Sequence, residues 1–88
     1  MLRITSSDSG QDRVLQLEGK ICQQWIGELC KQIHSSLTEG NRIVLDFSKV
    51  IYIDEEAVEM LSRFSSEQLE KKNCSLYIRT LFDQQRRP

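Results

Sequence analysis

The sequence has 88 residues, of which 39% are hydrophobic and 28% are charged, a composition typical of one small domain with a single core. Its 12 basic and 13 acidic residues give a net charge of −1, which excludes the positive excess that proteins use to bind nucleic acids or anionic membranes. No apolar run approaches the roughly 18 residues of a transmembrane helix, and the N-terminus lacks a signal-peptide pattern. We therefore expect a cytoplasmic protein without direct membrane insertion.

Two strands are predicted at the start of the chain. Residues 2–6 alternate their apolar side chains, and residues 13–18 place Leu15 and Leu17 on one face, as half-buried strands do. The six turn-forming residues between them, SDSGQD, predict an antiparallel hairpin with a longer loop.

A helix and a buried strand follow. Apolar residues recur at intervals of three and four from about residue 23 to residue 37, and Trp25 shares this face, so we expect its ring in the core. Gly40 is a plausible helix stop. Residues 42–47, RIVLDF, form a nearly continuous apolar run with Asp46 as the exception. This run predicts a central strand that is covered on both faces.

A second helix and a last strand complete the predicted order. The apolar spacing predicts a helix from about residue 55 to residue 71, and residues 74–79, CSLYIR, predict a strand before a polar tail at residues 82–88. Strand–helix–strand units give parallel neighbours, so the last three strands should be parallel and the first an antiparallel edge. We therefore predict one α/β domain over residues 1–88, with a small mixed sheet of about four strands and two main amphipathic helices.

Three adjacent carboxylates lie where the predicted second helix begins. Asp54 is at the N-cap position, where its side chain can accept a hydrogen bond from a free amide of the first turn. Glu55 and Glu56 meet the positive end of the helix dipole, which stabilises each by about 0.3 to 1 kcal/mol. Helix capping therefore explains these charges without any function. Neighbouring residues at a helix start point in different directions, so we do not expect paired catalytic carboxylates or a cation site here.

Cys30 and His34 are four residues apart and could place sulfur and nitrogen on one side of the first helix. Two ligands do not make a structural metal site, and Cys22 and Cys74 lie farther along the chain. Three cysteines without a CxxC spacing suit reduced thiols. We therefore expect no metal, no cofactor and no cysteine nucleophile, and we expect the tail residues Arg86 and Arg87 to be solvated.

Two motifs carry a family resemblance. The first motif is LEGKIC at residues 17–22, which occupies the place of an LxGxLD-like turn before a helix. The second is IVLDFSKVIYIDEEAVEML at residues 43–61, which aligns without a gap to a vvlDls strand followed by gvtfiDSSGlxxL. In this order they resemble the STAS domain, the fold of bacterial anti-sigma factor antagonists, over roughly residues 13–81. The resemblance implies a STAS-like fold and a non-enzymatic role in protein binding.

The resemblance also implies that the regulatory phosphorylation site is missing. In regulatory members the second serine of DSSG accepts the phosphate; here that position is Glu56, with Glu55 at the first serine and Ala57 at the glycine. Cys22 replaces the aspartate that ends the turn, and Ser48, aligned with a residue of the neighbouring loop, is the nearest remaining hydroxyl. A glutamate carries one charge against about −1.5 to −2 for phosphoserine, so it mimics the phosphate only in part.

The leading hypothesis is a STAS-type, anti-sigma factor antagonist-like binding module whose partner is a kinase-like anti-sigma factor. The predicted partner-binding residues are Ser48, Lys49, Asp54, Glu55, Glu56, Ala57 and Met60. Two alternatives stay open: a cytoplasmic STAS subunit on the ATPase of an ABC-type lipid transport system, and a nucleotide- or anion-binding module, against which the acidic cluster argues. Family members usually continue with further elements, and an uncovered sheet edge or apolar patch favours a homo-oligomer.

Overall fold

The computed structural model describes residues 2–85. The elements follow the order β1 (Leu2–Ser9), β2 (Asp12–Ile21), α1 (Gln23–Thr38), β3 (Arg42–Ile53), α2 (Glu55–Ser62), β4 (Leu69–Lys72) and α3 (Leu76–Gln85). The strands form one sheet in the order β1-β2-β3-β4, in which β1 is antiparallel to β2, and β2, β3 and β4 are parallel. The predicted α/β class, mixed sheet and antiparallel edge strand are therefore confirmed. Arg86 and Arg87 of the predicted tail lie outside the described residues.

The β1–β2 hairpin has a shorter loop than the sequence predicts. Both strands extend into the turn-forming segment, so only Gly10 and Gln11 remain between them. Gly10 has φ +65°, a left-handed conformation that glycine adopts without steric strain. Arg13 ties this end of the hairpin to the end of α1, because its guanidinium contacts Asp8 (Nε···Oδ1 3.1 Å) and Glu39 (Nη2···Oε1 3.0 Å).

The core lies on one face of the sheet. Buried side chains from the strands and from all three helices form one cluster there, including Leu15, Leu17, Leu29, Ile33, Leu45, Phe47, Leu61, Leu69, Ile78 and Phe82. The opposite face is polar, with Gln16, Asp46 and Lys72 aligned across three strands. Val44 is buried on this opposite face but lies outside the core cluster. β3 is a central strand, as predicted, but the core cluster covers only one of its two faces.

The second helix is shorter than predicted. α2 ends at Ser62 rather than near residue 71, and the chain then turns back to form β4. Leu69 pairs with Ile43 of β3 and is buried, so contact with a distant strand decides the conformation of this segment. A polar sequence of four residues, LEKK, thus provides the last strand.

The predicted last strand is a helix instead. Residues 74–79 contain the start of α3, and Ser75 caps it, since its Oγ accepts a hydrogen bond from the amide of Ile78 (3.2 Å). Phe82 packs edge-on against Phe47 of β3 with ring centroids 5.9 Å apart, which holds α3 on the core. Residues 2–85 therefore form three helices where two main helices were predicted. No helix within residues 2–85 is long and apolar enough to cross a membrane.

Candidate functional site

The junction between β3 and α2 is built as the sequence predicts. Asp54 has extended backbone angles (φ −89°, ψ 170°), and its Oδ1 accepts a hydrogen bond from the amide of Ala57 (3.0 Å), so it is the N-cap of α2. Glu55 and Glu56 occupy the first turn, and their side chains are exposed. Neither carboxylate is paired with another residue of the described chain. Capping accounts for Asp54, whereas the two glutamates project into solvent.

The first turn of α2 carries a concentration of negative charge. A shallow hollow beside it is lined by Tyr52, Asp54, Glu55, Glu56 and Glu59. Arg63 contacts Glu59 one turn later (Nη2···Oε1 3.2 Å) and compensates one of these charges. We call Asp54, Glu55, Glu56 and Glu59 the acidic face.

A groove between α2 and α3 adjoins the acidic face. It has a volume of about 360 Å³ and is lined by Tyr52, Ile53, Asp54, Glu55, Val58, Tyr77, Leu81 and Gln84. Ile53 and Val58 are buried and give it an apolar floor. Tyr52 and Tyr77 are 42% and 47% exposed, so their rings border the groove and also face solvent. We call this feature the tyrosine groove.

A second hollow flanks α2 on the side of α1. It is lined by Ile26, Glu56, Glu59, Met60 and Arg63. Met60 is partly buried and packs against the core, so only part of its side chain faces the hollow. The acidic face thus lies between two depressions that contain apolar side chains.

Three other predicted partner-binding residues, Ser48, Lys49 and Ala57, are not part of the acidic face. Ser48 and Lys49 are exposed, but they lie within β3 and not in a loop. At a rise of about 3.3 Å per residue, they precede the end of β3 by roughly 13 to 17 Å. Ala57 is fully buried. The prediction for Ala57 is corrected accordingly: its side chain faces the core and offers no surface to a partner.

A β-bulge surrounds Ser48. The register between β2 and β3 shifts between Gln16 and Glu18, so β3 has an extra residue there. The Asp46 carboxylate supports the bulge by accepting a hydrogen bond from the amide of Ser48 (2.9 Å). Asp46, the one acidic exception in the predicted apolar strand, therefore has a structural role.

Cys30 and His34 are not joined by further ligand side chains of the described residues to form a metal site. His34 is exposed and its ring lies against Phe64, with centroids 5.6 Å apart. Within residues 2–85, no group of three potential ligand side chains is placed to hold a metal ion. Trp25 packs against the core, as predicted, and its indole nitrogen is buried without a hydrogen-bond partner in the described structure.

Sequence reasoning missed the tyrosine groove. Tyr77, Leu81 and Gln84 belong to α3, which the sequence analysis divided between a strand and a polar tail. A signal was present, since Ile78 and Phe82 are four residues apart and follow Ser75, a good N-cap residue. This spacing places both apolar side chains on one face of a helix.

Comparison with known proteins decides the family. A family model described as "Mlab, STAS domain" matches residues 4–88. The chain belongs to the STAS domain family. No curated protein matches the sequence. The family resemblance inferred from the LEGKIC and IDEEA segments is therefore confirmed.

Solved structures show the same fold. The anti-sigma factor antagonist SpoIIAA in its unphosphorylated form superposes with a TM-score of 0.73 at 16% identity, covering 94% of this STAS domain and 82% of that chain. An antisigma-factor antagonist STAS domain from Rhodobacter sphaeroides gives 0.55 at 20% identity, covering 85% and 92%. A protein called Mglu gives 0.61 at 19% identity, covering 82% of this chain and 20% of its own. At these identities the likeness concerns the fold.

Proposed function

We propose that this STAS domain is a non-enzymatic, anti-sigma factor antagonist-like module that binds a protein partner through the start of α2. The observation that carries the proposal is the acidic face, which lies between two depressions lined in part by apolar side chains. Two similar solved structures are anti-sigma factor antagonists, a class that acts on protein partners. A kinase-like anti-sigma factor is the partner that this comparison favours.

The charge of the acidic face defines what the partner must present. Four carboxylates lie within six residues of sequence, and only Glu59 is paired with a cation of the described chain. A complementary partner surface is therefore basic, and exposed charges of this kind mainly accelerate association and fix orientation. Glu56 supplies its charge permanently, so binding at this position does not depend on a kinase.

A second candidate partner is the ATPase of an ABC-type lipid transport system, to which this domain would bind as a cytoplasmic subunit. Two observations favour it. The matching family model carries the name Mlab and is not described as an anti-sigma factor antagonist. Glu56 also suits a complex that is held constantly, because it leaves no hydroxyl to phosphorylate at this position. The acidic face argues against the third hypothesis, nucleotide or anion binding at the helix start, because its carboxylates repel an anion.

Self-association stays a prediction. β1 and β4 are the edges of the sheet, and β1 is eight residues long. Its exposed residues are largely polar, which reduces the tendency of an edge strand to pair with another copy. Light scattering on the purified chain tests this prediction directly.

Capture of the partner tests the proposed function. The full chain is immobilised with a tag, incubated with extract from its own cells, crosslinked, and the captured proteins are identified by mass spectrometry. The test variant combines Glu55→Ser and Glu56→Ser. The control combines Glu28→Ser and Glu67→Ser, which changes the net charge equally at exposed residues outside the acidic face.

We expect the wild type and the control to capture the same partner. The Glu55→Ser, Glu56→Ser variant should bind it about tenfold more weakly, an effect of about 1.4 kcal/mol. The captured protein then identifies the system, because a kinase-like anti-sigma factor and a transporter ATPase are different proteins. Equal capture by all three chains would show that the acidic face is not the binding surface.

A further inference from the structure

We propose that the tyrosine groove binds an arginine side chain of the partner protein. This inference rests on the proposed function and deepens it, since it names the chemistry that the partner inserts beside α2. The groove lies next to the acidic face and shares Tyr52, Asp54 and Glu55 with it, so one partner segment can contact both.

The groove combines aromatic rings with negative charge. Among the described residues its lining contains two tyrosines, two carboxylates, one amide and three aliphatic residues, and no cationic side chain. The nearest basic residue by sheet register, Lys20, lies opposite Tyr52 in β2 but does not line the groove. A cation is therefore the complementary ligand, and an anionic group such as a phosphate would face two carboxylates that no described residue compensates.

The aromatic rings are positioned to stack. The hydroxyl of Tyr77 donates a long hydrogen bond to the carbonyl oxygen of Ile53 (3.5 Å), which places the Tyr77 ring beside the residue that precedes Asp54. About half of each tyrosine side chain remains exposed, so the rings are available to a ligand. A guanidinium is planar and weakly hydrated, and it stacks on aromatic faces better than a lysine ammonium does.

Carboxylate oxygens remain available at the same place. Oδ1 of Asp54 accepts the amide of Ala57, but a carboxylate has two oxygens and about four acceptor positions, so Asp54 can accept further bonds. Glu55 is exposed and has no partner in the described chain. An arginine fork can bond to such carboxylates while its aliphatic stem packs on Val58 and Leu81.

The size of the groove suits one side chain. Its volume of about 360 Å³ is at the lower end of the range of about 300 to 1,000 Å³ that is common for ligand pockets. The groove is open to solvent on one side, as expected if the ligand enters from a second protein surface and is not enclosed.

Two blocked amino acids serve as probes for the full chain. N-acetyl-arginine amide carries the guanidinium, and N-acetyl-citrulline amide has the same shape without the charge. Both are titrated into the 15N-labelled chain, and amide shifts are followed by NMR. We expect saturable shifts at Ile53, Glu55 and Leu81 with the arginine probe, with a dissociation constant on the order of 1 mM. The citrulline probe should bind at least tenfold more weakly.

Variants separate stacking from charge. Tyr77→Leu removes the ring and should weaken binding of the arginine probe at least fivefold, whereas Tyr77→Phe keeps the ring, loses only the hydrogen bond to Ile53 and should weaken binding less than Tyr77→Leu does. Glu55→Gln should weaken it severalfold, while the matched change Glu67→Gln outside the groove should have no effect. A thermal melt of each variant verifies that it is folded, and Tyr52→Leu replaces Tyr77→Leu if the latter does not fold.

Three results would overturn the inference. The first is that the citrulline probe binds as tightly as the arginine probe, and the second is that the amide shifts do not saturate or map to another surface. The third is that the arginine probe binds only after Arg86→Gln and Arg87→Gln, because the chain's own tail would then be the occupant of the groove. Partner capture that depends on Glu55 and Glu56 would still stand after any of them, so only the groove inference falls. Conversely, probe binding without such capture leaves the groove inference intact and removes the proposed function.

Discussion

The carboxylate of Asp46 accepts a hydrogen bond from the side-chain amide of Asn73, 27 residues further along the chain (Oδ1···Nδ2 3.1 Å). The same oxygen accepts the amide of Ser48, so one carboxylate joins the β-bulge to the turn between β4 and α3. Asn73 has φ +60°, a conformation that asparagine tolerates better than most residues. The hydrogen bond from the Ser48 amide, followed by that from Asn73 and the charge of Lys72, holds the pKa of Asp46 below its usual 3.8.

Replacing Asp46 should therefore destabilise the fold in a pH-dependent way. A carboxylate with a lowered folded-state pKa contributes stability above the pKa that it has in the unfolded chain, and this contribution is lost as pH falls through the folded-state pKa. We expect Asp46→Asn to lower the free energy of unfolding by about 1 kcal/mol at pH 7. Urea unfolding of both chains from pH 7 to pH 2.5 measures the difference, which should shrink below pH 4. A difference that is constant over this range would contradict the assignment.

Asp54 should stabilise α2 as its cap. Asp54→Ala removes the acceptor for the Ala57 amide and should cost about 1 kcal/mol, within a usual range of about 0.5 to 2 kcal/mol. Asp54→Ser retains a capping oxygen and should recover most of this loss. Chemical denaturation of the three chains tests the order of stability. If Asp54→Ser were as unstable as Asp54→Ala, the charge and not the hydrogen bond would be the source of the stabilisation.

The helical assignment of α3 predicts different effects at two nearby residues. In a strand, Leu76 and Ile78 share a face and should be equally buried. In the structure Ile78 is fully buried, whereas Leu76 is 78% exposed. Ile78→Ala should therefore lower the free energy of unfolding by about 2 to 5 kcal/mol, and Leu76→Ala by less than about 0.5 kcal/mol. Similar large losses in both variants would favour a strand.

The sequence predicted the elements in which local pattern and tertiary packing agree. Leu15 and Leu17 alternate onto the core face of β2, the helical spacing of α1 matches its buried residues Leu29 and Ile33, and Asp54 caps α2 as its position indicates. In these elements side-chain periodicity alone determines which face is buried. The order of strands then follows from the connections, because helical crossovers favour parallel neighbours.

The later part of the chain was harder to predict because distant contacts decide it. LEKK has one apolar residue, and it forms β4 because Leu69 packs beside Ile43 of the neighbouring strand. Its place in the sequence continues the helical spacing of α2, so local pattern favoured the wrong structure. The tyrosine groove depends on the resulting position of α3, which explains why the carboxylates were found from sequence and Tyr77 was not.

The acidic face should act on the captured partner through its charge. Glu55→Gln combined with Glu56→Gln keeps the shape of both side chains, so we expect the association rate constant to fall about threefold to tenfold at low salt, with a smaller change in dissociation. Surface plasmon resonance at several salt concentrations measures this, and the difference from wild type should nearly vanish at about 0.5 M NaCl because salt screens exposed charges. The control, Glu28→Gln with Glu67→Gln, makes the same net change outside the acidic face and should associate close to the wild-type rate. Equal slowing by both double variants would show that the overall charge of the chain, and not the start of α2, steers the partner.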